Sequence, residues 1–116
     1  MRQVLKELNE TPGIVGSLVI TPDGIMVAAA VDDDVEEDTV AAVAASLLVS
    51  MKRGLAGLRT RSDLESYTLA GTDGKIVFYD MDNSYLVVVA EAETSLEANA
   101  GAIEHAIHGI RNRRVA

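Results

Sequence analysis

Read for the spacing of its apolar positions, the chain divides into eight short segments separated by turn residues. Val4, Leu5 and Leu8 in MRQVLKELNE fall at helical spacing, and Thr11-Pro12-Gly13 ends that helix. IVGSLVI (14–20) and IMVAAAV (25–31) are apolar runs of strand length. Thr21-Pro22-Asp23-Gly24 joins them, with proline at the second turn position and glycine after aspartate, which predicts a hairpin. An acidic loop, DDDVEED (32–38), leads into TVAAVAASLLVSMKRGLAGL (39–58), a long helix. DLESYTLA (63–70), KIVFYDM (75–81) and SYLVVVAEA (84–92) predict three further strands. Gly71–Gly74 and Asp82-Asn83 supply the two hairpin turns between them. A last helix is expected from Thr94 or Ser95, with Thr94 and Glu97 in capping-box spacing. Leu96, Ala100, Ile103, Ile107 and Ile110 form its apolar stripe, which runs to a basic end, RNRR.

The order is therefore helix, two strands, helix, three strands, helix, over a length that suits one domain, 1–116. SLVI and YLVVVA are apolar at successive positions, so both faces of the sheet are covered. The economical α+β arrangement puts the long helix on one face and the two terminal helices on the other.

The long helix lacks a polar face in its middle. On a wheel at about 100° per residue, Val40, Val43, Leu47, Leu48, Met51, Leu55 and Leu58 fall on one side, taken as the side facing the sheet. The opposite side carries Asp38, Ala42, Ala45, Ser46, Val49, Arg53 and Ala56. A wet helix face is ordinarily rich in Lys and Glu, whereas this one is small and apolar at its centre. That predicts a contact between two copies of the helix, at these seven positions. Antiparallel crossing near Ala45 and Ser46 puts Ala42 against Val49 of a second copy and Asp38 against Arg53, since a two-fold axis pairs positions of constant sum. A membrane span is not expected: the uninterrupted apolar run is shorter than about 20 residues and closes at Lys52 and Arg53.

Charge and composition exclude several functions. The net charge of −8 and the 3% aromatic content leave neither a basic face nor a stacking platform for nucleic acid. No cysteine is present, which removes thiolate metal sites and thiol nucleophiles. The charged N-terminus lacks a signal-peptide core, so a cytoplasmic location is expected. His105 and His108 stand at i and i+3 beside Glu104, without a third convincing ligand, so no metal is assigned to them. The 32–38 acidic loop lacks EF-hand spacing and instead favours the helix N-terminus that follows it. No phosphate loop, nucleophile elbow or nucleophile–base spacing occurs, so neither enzymatic activity nor a cofactor is expected. Arg111, Arg113 and Arg114 complement the C-terminal end of the last helix.

PGIVGSLVITPDGIMVAAA, the small-residue helix and YLVVVAEAETSLEANAGAIEHAI together resemble the Roadblock/dynein-light-chain domain family along essentially the whole chain. The bacterial members, including the GTPase-regulating group of gliding motility, look closest. The resemblance implies a five-stranded antiparallel sheet with one long helix on one face and two on the other. It implies a dimer through the middle helix and an edge strand at Asp63 to Ala70, and a platform for a Ras-like small GTPase, another Roadblock protein or a polarity and signalling complex. Many activator members of the gliding group carry a long segment after the last helix. This sequence runs only to Ala116, and a scaffold or co-regulator role is expected at least as much as activation. A small-molecule sensor of similar sheet-and-helix architecture is the alternative, and a heterodimer with a paralogue would use the same stripe.

Overall fold

The computed structural model describes residues 1–32, 36–57 and 66–115, the side chains of 113–115 excepted. Its elements are α1 (Arg2–Asn9), β1 (Ile14–Ile20), β2 (Met26–Ala30), α2 (Glu37–Gly57), β3 (Ser66–Ala70), β4 (Lys75–Asp80), β5 (Tyr85–Ala90) and α3 (Ala100–Val115). The five strands form one antiparallel sheet in the order β2-β1-β5-β4-β3. β1 and β5 lie in its middle, which is why their sequences are apolar at successive positions. Val19, Leu86 and Val88 face α1 and α3, while Leu18, Ile20 and Val87 face α2.

Local chemistry sets the connections. Pro12 and Gly13 end α1, and Gly13 takes a positive φ of 91° that glycine adopts without strain. The Thr21–Gly24 turn closes through Gly24 N–H to the Thr21 carbonyl at 2.9 Å, with Gly24 at φ 90°. Asp82 is the left-handed residue of the β4–β5 turn at φ 77°, a conformation aspartate tolerates better than most residues. α1 is fixed by Val4, Leu5 and Leu8 and by one buried polar link. There the Ser17 hydroxyl reaches Asn9 Oδ1 at 2.8 Å and Asn9 Nδ2 donates to the Ala30 carbonyl at 2.8 Å.

Three expectations are corrected. The last helix begins at Ala100, not at Thr94 or Ser95, because the Thr94 hydroxyl donates to the Gly13 carbonyl at 3.3 Å instead of capping. Ser95 takes the capping role for the turn before α3, its Oγ accepting from the Ala98 N–H at 3.1 Å. The second correction is Val43, expected against the sheet and found 52% exposed. The residues of α2 that are buried are Ala41, Ala44 and Leu48. Tyr67, Phe78 and Tyr85 fill this side of the core from the sheet, so α2 meets them with small side chains and turns some of its own bulk outward. Third, β2 starts at Met26, and the shift from Val19↔Ala28 to Ile20↔Met26 leaves Val27 as an unpaired bulge. The part of the predicted edge strand before Ser66, and Leu58 of the predicted stripe, lie outside the described residues.

Candidate interaction surface

α2 presents an extended apolar surface that the described fold leaves uncovered. It is long and apolar enough to cross a bilayer by length and composition, yet only 17% of its most apolar window is buried. The buried positions Ala41, Ala44 and Leu48 lie within about 60° of one another on the helical wheel. The direction opposite to them is centred on Ser46, with Ala42, Val43, Val49 and Ser50 around it and Arg53 towards one end, all exposed. Asp38 and Ala56, at the two ends of the predicted stripe, are exposed as well. Ala45 is the exception among the seven predicted positions. It is half-buried against its own β1–β2 turn, where a Cβ on Gly24 would lie 2.5 Å from the Ala45 Cβ.

Two contacts hold this face in place. The Gly24–Ala45 approach sets the middle of α2 against the hairpin. Lys52 Nζ donates to the Tyr85 hydroxyl at 3.0 Å and sets its C-terminal half against the start of β5. The Lys52 ammonium is raised above its ordinary pKa by that hydrogen bond, and the nearby Tyr85, Tyr67 and Asp80 add to the shift against an opposing desolvation. Tyr67, buried beneath the helix, has its phenol pKa raised first by desolvation and then by Tyr85 beside it. The exposed Arg2–Glu37 pair, 3.9 Å apart, adds little at the other end.

The two sheet edges differ. β3 pairs with β4 in unbroken register from Ser66↔Tyr79 to Ala70↔Lys75, carries no charged residue, and exposes Leu69. β2 is broken by the Val27 bulge, a feature that blunts an edge against further strands. An unbroken, uncharged edge is the one open to pairing.

The Roadblock/LC7 domain profile matches residues 2–90, that is, α1 through β5 with α2 between. The chain belongs to the Roadblock/LC7 family. Among its relatives, two uncharacterized proteins of the archaeon Methanocaldococcus jannaschii are each 33% identical over 94 residues, covering 81% of this chain and 82% of theirs. A Roadblock/LC7 domain from Streptomyces avermitilis superposes at TM-score 0.84 with 14% identity, over 100% of this chain and 98% of that one. MglB of Myxococcus xanthus superposes at TM-score 0.78 with 18% identity, over 94% and 89%. The sheet order and the placing of one helix against two are thus the Roadblock/LC7 fold.

The remaining candidate residues do not converge in this Roadblock/LC7 chain. His105 and His108 are exposed on α3, and His108 Nε2 lies 2.9 Å from Asn112 Nδ2. Among the described residues no three His, Asp or Glu side chains gather as a metal-holding group. Arg111 donates to the Asp82 carboxylate at 3.0 Å, so one arginine of the basic end ties α3 to the β4–β5 turn. Val43, expected on the sheet side of α2, and Leu69, on the predicted edge strand, are both surface residues. A signal for Val43 was available: the aromatics are concentrated in the strands, so the sheet supplies the bulk and the helix need not.

Proposed function

We propose that this chain is a homodimeric interaction platform, working in the cytoplasm, that binds or regulates a Ras-like small GTPase or a polarity and signalling complex. The single observation that carries the dimer is the outer face of α2: apolar, small at its centre and largely unburied over a long helix. Crossing two copies antiparallel at Ser46 sets Val43 against Val49 of the partner subunit and the converse, since a two-fold axis keeps the sum of paired numbers constant. Adopting Ser46 as the centre moves the predicted crossing by half a residue and replaces Ala45, which is committed to Gly24, by Val43. Asp38 and Arg53 stay at opposite ends, where the two-fold brings them near one another. The unbroken edge of β3 lies ready to extend the sheet into the second copy.

The GTPase role is supported by family membership and by the resemblance to the GTPase-regulating group of gliding motility. The role needs no chemistry from the chain itself, because a platform acts by holding a switch region or joining partners. The test is titration of the intact chain with a Ras-like GTPase from the same genome, loaded in turn with GDP and with a non-hydrolysable GTP analogue. Saturable binding that differs between the two states is the expected result. Equal failure of both states to bind, with the dimer intact, would remove the GTPase reading and leave the dimer standing.

A further inference from the structure

We infer that the open lane of the sheet beside α3 is a second docking groove, shaped for a cationic amphipathic helix of a partner protein. α1 and α3 pack on each other, and α1 lies over β1 and β2. Among the described residues no helix follows on the far side of α3. There a groove of about 1120 Å³ runs between α3 and the β3–β4 side of the sheet. Its floor includes Thr68, Val77 and Tyr79, and its wall Leu96, Ile103 and Ile107. Ile107, Leu96 and Tyr79 are each only half-buried, and burial already raises the Tyr79 phenol pKa.

Size, shape and charge select the occupant. Small-molecule sites enclose roughly 300–1,000 Å³ and bury most of their ligand; this trough is larger and open along its length. Its floor is a sheet face whose backbone is already paired from β3 through β4 to β5, so an added strand finds no edge within it. A helix covers such a face, as α1 and α3 do alongside. Between Ala100 and Arg111 the wall is about 16 Å long, enough for about three helical turns. Of the two cations on the rim, only Arg111 is paired with a carboxylate. Lys75 donates to the Thr94 carbonyl at 2.7 Å and Arg111 to Asp82 at 3.0 Å. Glu97 and Glu104 are exposed and have no ion-pair partner among the described residues. With Arg111 paired to Asp82 and Lys75 offset by Asp80, Glu97 and Glu104 leave the charge around this partly apolar groove negative, which calls for apolar anchors flanked by lysine or arginine. The groove is on the opposite side of the sheet from α2, so this inference does not depend on the α2 contact.

The probe is a synthetic helical peptide of about fifteen residues, with leucines along one stripe and lysines elsewhere. Its counterpart carries glutamate in place of every lysine. Titrated into the intact, isotope-labelled chain, the lysine peptide should move backbone amides of β3, β4 and α3 and saturate; the glutamate peptide should not. Glu97→Lys with Glu104→Lys should weaken the lysine peptide by about tenfold at low salt, two rim pairs at up to about 1 kcal/mol each. Ala100→Trp, at an exposed position of the wall, should block the groove and abolish binding while leaving the melting temperature unchanged. Shifts confined to the outer face of α2, equal binding of both peptides, full affinity in both variants, or no saturation at millimolar peptide would each overturn the inference.

Discussion

The two faces of the sheet are covered by different means. On one, α1 and α3 divide the work: Val4, Leu5, Leu8, Ile103, Ala106 and Ile110 point inward, and charged residues such as Lys6, Glu7, Glu104 and Arg111 point out. α1 is strongly amphipathic, and in both helices the side turned to the sheet carries the apolar residues. On the other face a single helix, α2, sends Ala41, Ala44 and Leu48 into the core and leaves Ala42, Val43 and Val49 outside. The difference is that α2 is apolar on a side the described fold leaves open, the side that the proposed second copy would cover. An apolar helix with only one packed side, in a chain of net charge −8, points to a second surface that covers the other.

If the bulk on the α2 side comes from the sheet, the costliest change there is in a strand. Phe78→Ala empties the middle of that layer and should cost about 3–5 kcal/mol of folding free energy, measured by urea titration. A cost near zero would mean that α2 does not close over β4. A sharper contrast places the same substitution on the two sides of α2, in a Val49→Glu background to hold the chain monomeric. Ala44→Leu overpacks the sheet side and should cost about 1–3 kcal/mol. Ala42→Leu, on the open side, should stay within about 0.5 kcal/mol of its parent. Equal effects would mean that the helix is rotated relative to this account.

The strands and their turns were largely legible in the sequence. β1 coincides with the predicted 14–20 run, and the four turn signatures at Thr11–Gly13, Thr21–Gly24, Gly71–Gly74 and Asp82-Asn83 all lie between elements. Each depends on chemistry within a few residues. The two main misjudgements depend on distant neighbours. Thr94 has the spacing of a helix cap, but its hydroxyl is taken by Gly13, 81 positions away. Gly13 is itself crowded, since a Cβ there would run into the Thr94 side chain. Val43 and Ala44 are adjacent and both apolar, so periodicity could not choose between them. The choice is made by Tyr67, Phe78 and Tyr85, from three different strands. Of the proposed interface, six positions of the predicted stripe are on the surface, and only Ala45 is drawn back to its own chain by Gly24.

Alkaline titration probes Tyr67 and Lys52, which hold α2 down, together with Tyr79 on the other side of the sheet. Tyr67 and Tyr79 have folded pKa values raised above 10.0 and Lys52 above 10.5. A raised folded value means the protonated form is favoured in the native state. The stability from these groups is therefore complete below the unfolded pKa and is lost as pH rises through the folded one. The melting temperature should hold steady up to about pH 9 and fall above about pH 10. Tyr67→Phe should make that fall shallower. An unchanged slope would mean that Tyr67 is not the desolvated phenol beneath α2.

The smallest effect is expected at the ends of the proposed contact. Asp38→Arg or Arg53→Asp alone should weaken self-association at low salt, and the two together should restore part of the loss. Exposed pairs contribute at most about 1 kcal/mol each, and added salt should erase the difference. Strictly additive single effects would place the two residues apart.

Whether the outer face of α2 meets a second copy decides the proposed assembly. Sedimentation of the intact chain at micromolar concentration, alone and as Val49→Glu, measures that directly. A carboxylate at the centre of a desolvated helix contact has no partner to offset its burial, so the wild-type chain should sediment as a dimer and the variant as a folded monomer. A monomeric wild-type chain, or a variant that remains fully dimeric, would contradict it.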